Sequence, residues 1–323
     1  MDEQNKKQFL DELENECQKI HQKAENERPK DKIYHYTNFD SLVKILESRT
    51  IQHTDYRYFN DPMEIKFGQN LILEAVTDSD IPHKEEFTKV IDRVFDIFNN
   101  QCNMYVSCYA TTIDKLALWR YYANNSSGFA ICFNEKYQKI NTSETDSLLG
   151  KSIISQVIYG HENGIEEINK FIQVYQDILA RARNTVSNGD FLIELDKRLI
   201  SHLISILPIL KDESFSDENE IRIYWQEGEL LIDPDTGEPF YFPDEQKDFI
   251  KVEDKKIPFV NYIAGNKPVL YPEQFDHSAI SEIWVGPSCE FNEAQKSLRE
   301  LLSQYGYNDN VVIRCSTLPY RNG

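Results

Sequence analysis

The chain reads as an α+β protein built on a mixed, largely antiparallel sheet, with a helical hairpin inserted late. Three observations on its 323 residues predict this. Short runs rich in β-branched and aromatic residues alternate as strands do, at 33–36, 103–109, 129–133 and 280–285. Strands and helices follow one another in mixed order, which suits a mixed sheet. Two long amphipathic runs between 165 and 210 break that order.

Composition sets the limits. With 40% hydrophobic and 28% charged residues, this is a globular chain with enough residues for a sizeable core. A formal net charge of −19 argues against extended DNA binding, which needs clustered cations along a phosphate backbone. No apolar run approaches the roughly 18 residues that would cross a bilayer, and the acidic N-terminus lacks the core of a signal peptide. Cys17, Cys102, Cys108, Cys132, Cys289 and Cys315 show no C-x-x-C spacing, so free buried thiols are expected rather than disulfides or zinc. The expectation is a reduced, cytoplasmic protein.

Residues 1–30 form a helical arm, with Phe9, Leu13, Cys17, Ile20 and Ala24 in one stripe that ends near Pro29. Residues 31–323 are read as a single α+β domain. Ile33-Tyr34-His35-Tyr36 is its first strand, and Thr37 or Asn38 caps a helix carrying Phe39, Leu42, Val43, Ile45 and Leu46. Thr50 to Phe59 is extended and delivers Asn60-Asp61-Pro62-Met63-Glu64. Asp61 as N-cap, Pro62 at N1 and Glu64 at N3 spell a helix start. Capping explains both carboxylates, and the same helix start can also hold a phosphate.

Helices follow to about Val76 and from Lys84 to Asn100. On the strand at 103–109, Tyr105, Ser107 and Tyr109 share a face opposite Met104, Val106 and Cys108. A short helix opened by Thr111 or Thr112 sets Trp119 and Tyr122 on the face of Leu116; such a stripe serves a core, while Trp119 or Tyr121 can instead stack on a ligand ring. The loop from Asn124 to Gly128 then feeds strand 129–133, and 151–159 is extended.

The insertion spans about 162–212, with its turn at Asn188-Gly189. It and the 1–30 arm are the candidate surfaces for a protein partner or a second copy. After it, the run from Glu218 to Trp225 reads as a strand with Glu218, Glu220 and Arg222 on one face. A carboxylate there can orient a hydroxyl or stabilise a cationic transition state. A turn at 233–237, strand 280–285, helix 292–305 and strand 311–315 complete the chain. No Gly-rich nucleotide fingerprint, P-loop, nucleophile elbow or zincin motif is present, and no histidine sits at a metal-ligand spacing.

The set I-Y-H-Y-T at 33–37, F-N-D-P-M-E at 59–64, L-W-R-Y-Y-A at 118–123, Gly128, Phe133, E-N-E-I-R at 218–222 and W-V-G-P at 284–287 resembles the bacterial domain-of-unknown-function family 2971. That likeness runs in order over residues 32–320. A more distant one adds chemistry. A strand ending His35-Tyr36-Thr37 before the helix N-F-D-S-L-V-K-I-L resembles the opening of ADP-ribosyltransferases, closest to the RNA 2′-phosphotransferase type and to toxins that modify nucleic acids. Those folds use a His or Arg on the first strand, an aromatic residue or Ser on a middle strand, and a late catalytic Glu.

This resemblance implies NAD as cofactor, with His35 on its ribose and Tyr56, Tyr58 or Tyr105 stacked on nicotinamide. It implies Glu220 on the 2′-hydroxyl and Glu218 towards the acceptor, as in the E-x-E pair of some members. Asn60 and Asp61 at their helix start, or Arg222, suit the phosphates. The acceptor is unassigned, and Asn60-Asp61-Pro62 and the insertion lie outside the transferase pattern. The leading expectation is an ADP-ribosyltransferase-like enzyme, as a toxin or phage-defence effector. The alternatives are a non-catalytic nucleotide-binding or sensor module, and a metal-dependent nuclease or phosphohydrolase using Asp61, Glu64, Glu218 and Glu220.

Overall fold

The computed structural model describes residues 3–59, 63–140, 153–182, 189–232, 239–241, 247–252, 255–261, 274–307 and 309–320. In chain order they begin with α1 (Glu3–Glu27), β1 (Ile33–Thr37), α2 (Phe39–Ser48), β2 (Gln52–Asp55), α3 (Glu64–Asp78) and α4 (Lys84–Gln101). Next come β3 (Cys102–Ala110), α5 (Leu116–Tyr122), β4 (Phe129–Phe133), α6 (Glu135–Ile140), β5 (Ile153–Gln156) and β6 (Ile158–Tyr159). Then follow α7 (His161–Ala182), α8 (Gly189–Ser205), β7 (Leu210–Lys211), β8 (Glu220–Ile232), β9 (Pro239–Phe240), β10 (Lys247–Val252) and β11 (Lys255–Asn261). The last elements are β12 (Ile280–Val285), α9 (Phe291–Gln304) and β13 (Val312–Cys315). The chain is α+β.

Contacts divide it into two compact units that do not follow chain order. The first collects 1–28, 60–101 and 156–216; the second collects 29–59, 102–155 and 217–323. The first is helical. Leu13 and Cys17 of α1, Leu71 and Ile72 of α3, Phe171 and Tyr175 of α7, and Leu195 and Leu199 of α8 are all buried. Each helix has apolar residues on one stripe only, so the stripes bury against one another. Of the expected turn between α7 and α8, Asn188 lies outside the described residues and Gly189 is the first residue of α8.

The second unit holds the sheet, which has 11 strands among the described residues. Its path runs β10-β11-β2-β3-β1-β4-β12-β13, with β8 joined to β3, β5 and β9 off that path. The pairs described are antiparallel except β12 with β13. β3 is the pivot. One edge pairs with β8 throughout, from Cys102↔Gly228 to Ala110↔Glu220. The other edge pairs with β2 at Tyr105 and Val106, and with β1 only at Ala110.

Side chains alternate across a sheet and directly paired residues share a face. One face therefore carries Ile33, Tyr109, Ile131, Phe133, Ile221, Ile223 and Ile283, all in one buried cluster with Leu42 and Leu46 of α2. The other carries Tyr36, Ala110 and Ala130, packed with Leu118, Trp119 and Ala123 around α5. α2 begins as expected, with Asn38 Oδ1 accepting from the Ser41 amide at 2.8 Å. The expected turn at 233–237 lies outside the described residues.

Candidate functional site

The expected carboxylate pair is only partly a strand pair. Glu220 opens β8, but Glu218 ends the 3-10 turn before it, and Asn219 between them has φ 45°. That left-handed residue breaks the extended alternation, so Glu218 does not share a strand face with Glu220 as expected. Glu218 is instead accessible and accepts from the Tyr122 hydroxyl at 2.7 Å. Glu220 and Arg222 do share a face and are buried, 4% and 1% exposed. Arg222 donates through Nε to Oε1 at 3.0 Å and through Nη2 to Oε2 at 2.9 Å. A two-point ion pair of this kind fixes the carboxylate plane. The Phe59 ring lies 5.7 Å from the guanidinium carbon.

Register places the other expected residues. The directly paired row Glu282–Cys132–Tyr34–Ala110–Glu220 crosses five strands on one face. Tyr36 belongs to that face too; its hydroxyl accepts from the Asp114 amide at 3.2 Å and its ring meets Trp119 edge-on at 4.9 Å. His35, one residue along, points to the opposite face. It pairs with Ile131, and its ring sits 5.5 Å from that of Tyr109. His35 and Glu220 are thus not brought together.

His35 Nδ1 donates to the Cys108 carbonyl at 3.0 Å, tying β1 to β3 where the strands cease to pair. Burial pulls its pKa below the ordinary imidazole value, against the pull of that bond. Tyr105, on the His35 side of β3, is buried and donates to Glu227 at 3.0 Å, so its ring is engaged in a side-chain network rather than offered to a ligand. Tyr58 is 40% exposed in the 3-10 turn after β2, and Thr37 is buried at the end of β1. Asn60 and Asp61 lie outside the described residues.

A model of a family described as protein of unknown function (DUF2971) matches residues 118–223. The chain is similar to that family over this stretch. It runs from α5 to the first residues of β8 and so includes Trp119, Tyr122, Gly128, Glu218, Glu220 and Arg222. No curated protein and no solved structure matches the chain.

Two parts of this region escaped the sequence reading. α5 opens at Leu116 rather than at Thr111 or Thr112, because Asp114, at φ 69°, lies outside the right-handed helical region. Its carboxylate accepts from Trp119 Nε1 at 3.0 Å, from the Thr317 amide at 2.7 Å and hydroxyl at 2.6 Å, and from the Ser316 hydroxyl. Burial would raise the Asp114 pKa, yet these bonds hold it below the usual value. No local pattern foretells a bond from 114 to 317. The second is Phe59 over Arg222, whose one signal was its place before Asn60-Asp61-Pro62.

Among the described residues, no group of three or more His, Cys, Asp or Glu could hold a metal ion. Of the metal-ligand set considered, Asp61 lies outside those residues, and Glu64 sits in the helical unit, 4.0 Å from the Lys211 ammonium. All six cysteines are free, and no helix of the described residues is long and apolar enough to cross a membrane.

Proposed function

We propose that the sheet-bearing unit binds an NAD-class dinucleotide at Glu220 and acts on its ADP-ribosyl group. One observation carries this reading: a buried carboxylate at the first position of β8, held in plane by Arg222, one strand from β3 and two from β1. That order of a first strand, a middle strand and a late Glu is the one the transferase resemblance calls for. A carboxylate fixed in this way accepts a ribose hydroxyl and favours positive charge developing on the sugar. In such a transfer the bond from ribose C1′ to the nicotinamide nitrogen breaks and its electron pair leaves with nicotinamide. The acceptor oxygen or nitrogen then bonds to C1′ and gives up its proton.

Glu218, accessible and held by Tyr122, suits the acceptor side. Phe59 offers a ring beside the Arg222 guanidinium, and Tyr122 one at Glu218, on which a base can stack. His35 has no ribose role in this reading and serves as the tie between β1 and β3. A toxin or phage-defence setting rests on the resemblance alone.

A second reading, a nucleotide-binding or sensor module without turnover, is favoured by one detail. Both Glu220 oxygens already accept from Arg222, so a ligand must share them. The test is NAD binding and nicotinamide release by the whole chain, wild type against Glu220→Gln. Release that is lost in the variant supports the enzyme. Saturable binding without release supports the module. Neither binding nor release overturns both.

A further inference from the structure

We propose that Lys32 and Arg314, gathered on the buried carboxylate of Glu282, form a docking site for a phosphate-class anion. Lys32 Nζ lies 2.5 Å from Glu282 Oε1, and Arg314 Nε lies 2.9 Å from Oε2. Trp284 Nε1 adds a third donor, to Oε2 at 2.8 Å. Burial alone would raise the Glu282 pKa, but the three donors together bring it below the usual carboxylate value.

The ordinary account is that a buried carboxylate needs a counter-charge. It explains one cation and leaves the second as surplus. Both cations are about half exposed, with side chains 46% and 47% accessible, and an ion pair with so exposed a partner contributes little. The three charges sum to +1, on a chain whose net charge is −19.

Geometry makes that surplus useful. The guanidinium is held at its Nε edge by Glu282 and lies 5.8 Å from the Trp284 ring, so its position is set before any ligand arrives. Its Nη groups have no acceptor among the described residues, and Lys32 Nζ has only Glu282. Outward donors therefore come from two separate cations. A phosphate group, with at least three terminal oxygens and up to two negative charges when it is a monoester, can accept from both cations at once.

The site stands apart from Glu220. The row Glu282–Cys132–Tyr34–Ala110–Glu220 puts four strand spacings between the two carboxylates, roughly 19 Å at about 4.8 Å each. The inference therefore does not depend on the NAD reading.

The test titrates the whole chain at low ionic strength with inorganic phosphate, pyrophosphate and ADP. It follows the Arg314 side-chain Nε–H resonance together with calorimetric affinity. Wild type is compared with Lys32→Gln, Arg314→Gln, the double variant, and Lys296→Gln as an exposed-cation control on α9. The expected result is saturable binding that shifts the Arg314 resonance. Binding should weaken about tenfold or more in the double variant and stay unchanged in the control. ADP binding tighter than pyrophosphate would identify a nucleotide as the source; equal binding would identify inorganic polyphosphate. The proposal is overturned by no saturable binding, by an unmoved Arg314 resonance in wild type, or by equal loss in Lys296→Gln. The wild-type resonance decides the matter even if the double variant fails to fold.

Discussion

Glu220 and Arg222, two residues apart on β8, are bonded to each other at both carboxylate oxygens, at 3.0 and 2.9 Å, and both are buried. His35, the residue the transferase resemblance paired with Glu220, faces the other side of the same sheet. The pair is both the centre of the proposed site and a structural commitment, because a buried charge stripped of its partner is costly.

Removing one member should therefore unfold more than it disarms. Arg222→Ala is expected to cost about 3–5 kcal/mol, read as a fall in the urea midpoint, because it removes the guanidinium bonded to both oxygens of the buried Glu220 carboxylate. Glu220→Gln keeps an acceptor for one arginine N–H but takes the negative charge from beside a buried guanidinium that cannot discharge, so it should also be strongly destabilising. Losses under about 1 kcal/mol in both variants would show that the pair is not a buried ion pair.

His35→Ala separates the two faces of the sheet. It removes the bond to the Cys108 carbonyl, so a loss of about 1 kcal/mol is expected, plus some packing against Tyr109. It should leave NAD affinity unchanged where Glu220→Gln reduces it. A His35→Ala protein of wild-type stability that loses affinity would return His35 to the site.

Two glycines pin the loop at the start of β4 to the end of β12. A Cβ on Gly128 would lie 2.4 Å from the Thr37 carbonyl oxygen, and one on Gly286 would lie 2.4 Å from that of Ser126. Backbone atoms cannot swing aside as side chains do. Gly128→Ala and Gly286→Ala should each lose about 1–3 kcal/mol by thermal melting. Gly189 opens α8 with nothing within 4 Å of its Cβ position, so Gly189→Ala should be neutral or stabilising by up to about 1 kcal/mol.

The helical unit should loosen in acid. His21 Nε2 lies 3.2 Å from His202 Nδ1, and His202 Nε2 lies 3.3 Å from Glu14, a chain linking α1 to α8. Arg198 of α8 also faces Glu14, Ser205 of α8 faces His21, and Phe171 of α7 packs on both rings. Burial and the neighbouring His202 lower the His21 pKa from 6.5 to about 3, so the folded protein keeps it neutral. Its contribution is complete above pH 6.5 and declines as pH falls towards 3. Glu14 is lowered from 4.5 to about 2, chiefly by its bond from His202, so its contribution declines from pH 4.5 towards 2. Thermal midpoints should fall steadily below pH 6.5, and His21→Gln should remove the upper part of that fall.

Local chemistry made much of this legible from sequence. Alternation at 33–36 and 280–285, and Asn38 before an amphipathic run, gave β1, β12 and the start of α2. What stayed hidden depends on partners distant in the chain. Asp114 joins Trp119 of α5 to Ser316 and Thr317, and Asn219 turns Glu218 out of the strand. Spacing set the faces within each strand. It did not say that β3 would lie between β1 and β8 with Ala110 as the shared position, and that register decides that His35 and Glu220 part company.

The most direct test of the account is nicotinamide release from NAD by the purified whole chain, wild type beside Glu220→Gln, with folding of both checked by circular dichroism. Release by wild type and its loss in the folded variant are the expected results. Undiminished release by folded Glu220→Gln would contradict Glu220 as the acting carboxylate. The absence of both NAD binding and release in wild type would contradict the site itself.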